Sequence, residues 1–258
     1  GDVYPHEIDT WDRDGESLVW VKLPQLAKGE SFFVQWGGGT VESSNASGTW
    51  NDSYAGVWHM GEADGVCRNS TRHGSAYDAT PKGAISESVR YDGSDAPVGG
   101  ARTTAKTSLA YLSVPSTDDL HHDGVFTISG WVRCEAGSRY FRLFSRKEDY
   151  MQTGWEAESN SGSMTTFWAR GNASAPQVPF ELPSPGLLKN WVHLAFVYDA
   201  TTLSVYGNGK RIALGTINQA HDNGLDISIG CNSNGTEAFV QGAFDECRLM
   251  GGAASADW

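Results

Sequence analysis

Basic residues are scarce in this chain: 19 lysines and arginines stand against 31 aspartates and glutamates, a formal charge of −12 over 258 residues. That balance repels polyanions at long range, and no stretch gathers the basic side chains into a stripe, so no nucleic-acid partner is expected. Long apolar runs are missing too. None approaches the roughly 18–20 residues that span a bilayer, so no direct membrane insertion is expected, and the first residues carry no signal-peptide pattern. The few cysteines, Cys67, Cys134, Cys231 and Cys247, lie far apart with no CxxC pair. This speaks against a cysteine-built zinc site and makes disulfides the expectation, with their pairing left open. No Gly-x-Ser-x-Gly elbow, phosphate loop or dinucleotide fingerprint occurs in a strand-to-helix setting, which disfavours hydrolase-triad and nucleotide chemistry. The histidines assemble no triad: His121 and His122 sit in an Asp-rich turn, and His193, inside an apolar strand, reads as a core histidine.

What the chain has in quantity is glycine and aromatic residues, 31 Gly with 10 Trp, 9 Tyr and 10 Phe. That mixture suits many short aromatic strands joined by tight turns. The stretch Trp191 to Asp199, then Leu203 to Tyr206, then Asn208-Gly209 and a strand to Leu214, reads as a meander with an Asn-Gly hairpin turn. Strands are also predicted at Glu7–Trp11, Leu18–Leu23, Ser31–Trp36, Tyr54–Met60, Ser88–Tyr91, Ala110–Val114, Phe126–Arg133, Tyr140–Arg146, Trp155–Glu158, Met164–Ala169, Ile227–Gly230 and Ala243–Leu249. Gly93 to Ser108 reads as a Gly/Ala/Thr-rich insertion. This spacing predicts an all-β fold, an antiparallel β-sandwich preceded by a small N-terminal β segment. The Gly37-Gly38-Gly39 run and the polar stretch after it place a boundary near residue 52, giving residues 1–52 and 53–258. In Phe126–Arg133, Phe126, Ile128 and Val132 share one face, which marks it as core.

Val57-Trp58-His59-Met60-Gly61-Glu62, Phe126–Arg133, Trp191–Asp199, Asn208-Gly209-Lys210 and Gly242–Leu249 resemble, in that order, the laminin-G-like (concanavalin A-like) jelly rolls of bacterial surface proteins. Residues 1–52, with Glu7–Asp12 and Val19–Pro24, resemble the later part of a bacterial domain of unknown function that often precedes such jelly rolls. The resemblance implies a part of a larger secreted or envelope protein. It implies the fold more firmly than an activity, since the same sandwich serves lectins, adhesion modules and some glycanases.

Three constellations carry possible chemistry. Glu7-Ile8-Asp9-Thr10-Trp11-Asp12 is similar to the Glu-x-Asp-x-x-Glu signature of laminarinase-type glycosidases, with Asp12 in the third place; a solvated strand and turn is the competing reading. Asp245, alternating with Ala243, Cys247 and Leu249, would lie among apolar groups and need a strong partner. Oxygen ligands in the loop Glu62–Thr71 make a structural Ca²⁺ held by Glu62, Asn69 and Asp245 one candidate, against backbone amides or Arg68 as partners. The third is a ligand face: Tyr140, Arg142, Phe144 and Arg146 share one side of a strand, and Met164, Thr166, Trp168 and Arg170 share one side of another. With Trp155 at its edge, such a face would stack sugars on its rings and grip acidic groups with Arg142, Arg146 and Arg170. Its alternative is a second small core of Trp168 and Phe144 with solvated arginines. Asn-x-Ser/Thr triplets begin at Asn45, Asn51, Asn69, Asn172 and Asn234, and carry little weight in a chain this rich in Asn and Ser.

The expected function is therefore a non-catalytic carbohydrate-binding or adhesion module, extracellular or in the cell envelope, whose partner is a glycan or a surface protein. A structural or protein-interaction module is the alternative, and a glycanase using Glu7 and Asp12 a third.

Overall fold

The computed structural model describes residues 3–37, 44–84, 89–93, 95–116, 124–136, 140–148, 152–160, 163–171, 177–217 and 223–255. Their strands, numbered β1–β17 in chain order, form two large antiparallel sheets and one hairpin. In the first large sheet the spatial order is β12 (Gln177–Glu181), β11 (Thr166–Arg170), β10 (Glu156–Asn160), β9 (Tyr140–Ser145), β16 (Ile227–Ile229), β7 (Tyr111–Val114) and β4 (Thr80–Lys82). In the second it is β15 (Lys210–Thr216), β14 (Thr202–Gly207), β13 (Val192–Asp199), β8 (Val125–Ala136), β17 (Gln241–Met250), β6 (Ala101–Thr104) and β5 (Arg90–Asp92), with β3 (Tyr54–Trp58) also paired to β17.

The meander expected from Trp191 to Leu214 is the β13-β14-β15 run. Its second turn bends at Asn208 (φ 48°) and Gly209 (φ 76°), the paired left-handed residues that a tight hairpin turn requires. Alternation then sets the core. Phe126, Ile128, Val132 and Cys134 of β8 and Leu194, Phe196 and Tyr198 of β13 point inward, against Phe141, Phe144, Phe167 and Phe180 of the other sheet. Phe144 meets Phe196 and Phe244 edge-on, and Phe180 meets Phe196 with centroids 5.6 Å apart, so rings from both layers interlock.

Several elements depart from expectation. β4, β6 and β12 lie where no strand was predicted. Pro81 in β4 and Pro179 in β12 weaken a strand pattern, and both strands stand at the two edges of the first sheet, the one place where a missing amide proton costs no ladder bond. Ser31–Trp36, predicted as a strand, is irregular and exposed, with Phe33 at 94% and Trp36 at 71%. Among the described residues its alternation has no neighbouring strand to satisfy it. All four cysteines are free and buried, which overturns the disulfide expectation; they pack as small apolar groups, Cys67, Cys134 and Cys247 in the main core and Cys231 with Tyr111 and Phe239.

The N-terminal β1 (His6–Thr10) and β2 (Leu18–Val21) form a hairpin with a bulge at Asp9. A short helix, α1 (Ala46–Thr49), is capped by the Asn45 side chain and tied to β1 through the Asn45 amide and the His6 carbonyl, 2.7 Å apart. His121, His122 and Asn172 lie outside the described residues.

Candidate functional site

The last strand carries the irregularity that builds the first cluster. Asp245 of β17 lies opposite Trp131 of β8 and Arg248 lies opposite Ser129, so Glu246 and Cys247 together face Gly130 alone. Glu246 absorbs the extra residue at φ 47°. Phe244 and Cys247 consequently both enter the core, and Asp245 and Glu246 fall together on the outer face. The expectation that Asp245 shares a face with Cys247 and Leu249 is thereby corrected: the bulge shifts the alternation. Gly130 permits it, because a Cβ there would stand 2.8 Å from Cys247 Sγ.

Onto this outer face the N-terminal hairpin brings two more carboxylates. His59, just beyond β3 and buried, stands between them and the bulge: its Nδ1 lies 2.7 Å from Glu246 Oε1 and its Nε2 3.2 Å from Glu7 Oε2. Asp9 Oδ2 is 3.9 Å from the same Nδ1. Glu7 also accepts hydrogen bonds from Ser70 Oγ and Trp50 Nε1, and Trp20 Nε1 donates to Asp9 at 3.5 Å. Arg248 holds Glu246 Oε2 at 2.8 Å and spreads its guanidinium over the rings of Trp20 and Trp50, while Trp20 stacks on the imidazole.

The electrostatics follow from those contacts. Burial opposes a charged His59, but the hydrogen bonds to Glu246 and Glu7 and the charges of Glu246 and Asp9 outweigh it and raise the imidazole to about 10. Burial would raise Glu7, yet the bond from His59, its charge, and the bonds from Ser70 and Trp50 hold it below its usual range. Asp9 is raised, by burial first and then by Glu246 and Glu7, against the pull of His59 and Trp20. Asp245 is pushed up to about 8 by burial, Glu246 and Asp9, although the Val98 and Glu246 amides work the other way. Its Oδ2 accepts the Val98 amide at 2.9 Å, and Oδ1 is buried with no well-aligned hydrogen bond. Asp9, His59 and Glu246 offer three ligand atoms within 4.8 Å of one another, a grouping that could hold a metal ion.

A second cluster lies on the outer face of the first sheet. The register sets Arg142 beside Glu158 and Glu158 beside Trp168, with Glu156 beside Arg170 and Asn160 beside Tyr140. Arg170 Nη1 reaches Glu156 Oε1 at 2.9 Å and Glu158 Oε1 at 2.6 Å. Arg142 Nε lies 2.8 Å from Glu156 Oε2, out of hydrogen-bond alignment, and its Nη1 donates to the carbonyls of Lys147 and Glu148. Glu156 is fully buried, and Arg142 and Arg170 are nearly so. Glu158 is raised by burial and by Glu156, against both arginines.

The structure thus brings Tyr140, Arg142, Trp168 and Arg170 to one face, but with a strand between them that supplies Glu156 and Glu158. The arginines are neither solvated nor open; they are ion-paired. Tyr140 is 47% exposed and Trp168 partly so, with Arg170 over its ring at 5.3 Å. Phe144 and Arg146 do not share that side. A slip in the β9–β10 register, with Ala157 opposite Phe144 and Glu158 opposite Arg142, turns Phe144 into the core. Arg146 is buried against the Leu225 carbonyl and Ser116 Oγ. Trp155 is not at an edge: it packs in the core on Phe126 and Tyr198. Glu156 and Glu158 were legible as an i, i+2 pair on one strand face, whereas the role of Glu246 depended on a bulge that no residue type announces.

The set Glu62, Asn69 and Asp245 does not fit the six to eight oxygens of a calcium shell. Asn69 Oδ1 accepts the Val57 and Thr71 amides, and its Nδ2 donates to Thr71 Oγ1, so the side chain faces inward as a brace for the loop. Glu62 Oε1 accepts the Arg68 amide. The fully buried Arg102 donates to the carbonyl oxygens of Glu62 and Gly65, so a guanidinium already stands among the loop oxygens. Of the glycosidase-like motif, Glu7 and Asp9 turn into the His59 cluster, and Asp12 is exposed and binds the Asp14 amide in a turn.

A family model described as the concanavalin A-like lectin/glucanases superfamily, of the laminin G type, matches residues 106–258, more than half of the chain. The chain belongs to that superfamily. A search of curated protein sequences finds no significant match. Several solved structures superpose on it at low identity, which shows the fold alone. Domain 4 of AbnA, a GH43 extracellular arabinanase from Geobacillus stearothermophilus, solved in complex with arabinotriose, has a TM-score of 0.52 at 20% identity over 71% of this chain and 88% of that one. The binding domain of Paraclostridial Mosquitocidal Protein 1 has a TM-score of 0.58 at 12% identity over 80% of this chain. A botulinum neurotoxin type C structure, described by its interaction with two ganglioside molecules, has a TM-score of 0.56 at 12% identity over 80% of this chain. The chain spans about half the length of either toxin structure, 50% and 49%.

Proposed function

We propose that this concanavalin A-like domain is a non-catalytic carbohydrate-binding or adhesion module that acts outside the cell or in its envelope. The observation that carries the reading is the outer face of β9–β12, where Tyr140 and Trp168 stand partly exposed above a bed of ion-paired Arg142, Glu156, Glu158 and Arg170. Aromatic rings offer the apolar faces on which sugars stack. The paired charges beneath are buried and held by one another, so they fix the strand face that carries the two rings rather than offering a mobile catalytic acid. Two superposable relatives, described with arabinotriose and with gangliosides, support a saccharide as the ligand class.

The test is a glycan array followed by titration calorimetry of the strongest hit. Trp168→Ala and Tyr140→Ala are expected to weaken binding by roughly 0.5–1.5 kcal/mol each, in the range of losing one ring contact. Unchanged affinity in both variants would remove this face from consideration. A protein-docking role is the second reading, favoured by the exposed Phe32, Phe33, Val34 and Trp36. It predicts that Phe33→Ser with Trp36→Ser abolishes capture of a protein partner while saccharide binding is untouched.

A further inference from the structure

The His59 cluster is made of more negative charge than its cations balance. Glu7, Asp9 and Glu246 surround one imidazole and one guanidinium, His59 and Arg248. Two features of the geometry go beyond a cluster of acids. The first is the imidazole's arrangement. Glu7 binds the Nε2 side of His59, with its own oxygens anchored by Ser70 and Trp50, and Nδ1 faces Glu246 and Asp9. A carboxylate behind one ring nitrogen, fixing the tautomer and the ring plane, is how metal-binding histidines are oriented. Arg248 on Glu246 Oε2 and Trp20 on Asp9 Oδ2 support the other two carboxylates in the same manner.

The second feature is Asp245. It is completely buried, and Oδ1 has no well-aligned hydrogen bond. The bulge places it on the same outer face as Glu246. Its Oδ2 takes the amide of Val98, and the next residue, Gly99, lies against Asp9: a Cβ on Gly99 would stand 3.8 Å from Asp9 Oδ2. Asp245 and Asp9 therefore meet successive residues of one bend, Val98 and Gly99, and the Asp245 carboxylate is near enough to Glu246 and Asp9 to feel both charges.

We propose that Asp9, His59 and Glu246, with Asp245 beside them, form a site for a divalent transition-metal ion of the zinc class, which pins the N-terminal hairpin to the sandwich. Imidazole with carboxylates in a small set suits a zinc-like ion, which takes about four ligands, better than calcium, which wants six to eight oxygens. Binding uses the Nδ1 lone pair, and the proton that Nδ1 shares with Glu246 leaves to solvent. Asp9 is the ligand supplied by β1; His59 and Glu246 belong to the sandwich. The ion would thus close a contact between the two, independent of the saccharide face.

Chelator-treated protein titrated with Co²⁺, followed by visible d–d absorption and then by Zn²⁺ competition, tests this. About one ion per chain is expected, displaced by Zn²⁺, with affinity reduced at least about 10-fold in Asp9→Asn and in His59→Gln. The exposed Asp14→Asn on the same hairpin should bind as wild type. Zn²⁺ should also slow proteolytic cutting within residues 11–37 of the wild type but not of Asp9→Asn. If His59→Gln does not fold, Asp9→Asn decides, since its isosteric amide can keep the contact with Trp20. Absence of saturable binding, or wild-type affinity in a folded Asp9→Asn, overturns the proposal.

Discussion

Replacing Glu156 by glutamine is the sharpest test of whether the arginines beneath Tyr140 and Trp168 are locked or open. Glu156 is fully buried and faces two guanidiniums, Arg170 at 2.9 Å and Arg142 at 2.8 Å. With charge centres about 4 Å apart and an effective dielectric constant of about 20, each attraction is on the order of 4 kcal/mol. Desolvating the carboxylate takes back several kcal/mol of that sum, so the pair adds little net stability, yet removing one partner leaves buried positive charge uncompensated and costs ~3–5 kcal/mol. Glu158 cannot take over fully, because it already serves Arg170 at 2.6 Å and lies 3.5 Å from Arg142. For a domain of this size the loss corresponds to a fall in Tm of roughly 6–20 °C. Equilibrium urea unfolding, with the m-value checked for two-state behaviour, measures it. The double variant Glu156→Gln/Arg170→Gln should lose less than the sum of its singles, by about 0.5–3 kcal/mol. A Glu156→Gln protein within about 0.5 kcal/mol of wild type would refute the reasoning, because such small effects belong to solvated surface positions. The arginines would then be free to grip an acidic ligand directly.

Gly130→Ala should destabilise by ~1–3 kcal/mol, since its new methyl would press on Cys247 Sγ at 2.8 Å and Cys247 Cα at 3.3 Å; Cys247→Ala in the same chain should recover part of the loss in urea midpoint. Lys147 is fully buried, with Nζ donating to the Gly171 carbonyl, and burial together with Arg170 and Arg142 lowers it to about 8 against the charges of Glu156 and Glu158. Because the folded state releases this proton more readily than the unfolded one, the contribution of Lys147 to stability should rise between about pH 8 and 10.5, by at most ~3 kcal/mol, against the opposite trend from His59, whose raised pKa costs stability as pH climbs towards 10. The stability difference between wild type and Lys147→Met, measured by chemical denaturation across the interval, should therefore shift in favour of wild type as pH rises, and a difference that does not change with pH would rule out a lowered Lys147.

The all-β sandwich could be read from the chain because its signals are local. Alternation in Phe126–Val132, the run Trp191–Asp199 and the Asn208-Gly209 turn each depend on a few neighbouring residues, and the structure places them as β8, β13 and the β14–β15 turn. Edge strands with Pro81 and Pro179 were not legible, because only the sheet order shows that those prolines stand where no ladder bond is needed. Residue spacing also put Tyr140, Arg142, Trp168 and Arg170 on matching strand faces. It could not show that β10 runs between them, so the grip of Glu156 and Glu158 on both arginines was invisible until the strands were ordered. The largest difference concerns Asp245 and Glu246. One added residue opposite Gly130 reverses the alternation of β17, and that reversal, together with the docking of Glu7 and Asp9 from the far end of the chain, creates the His59 cluster. Patterns of period two carry the framework because each side chain's face follows from its neighbours. A bulge and a long-range contact have no such periodic trace, so the charge cluster between hairpin and sandwich belongs to the tertiary structure alone.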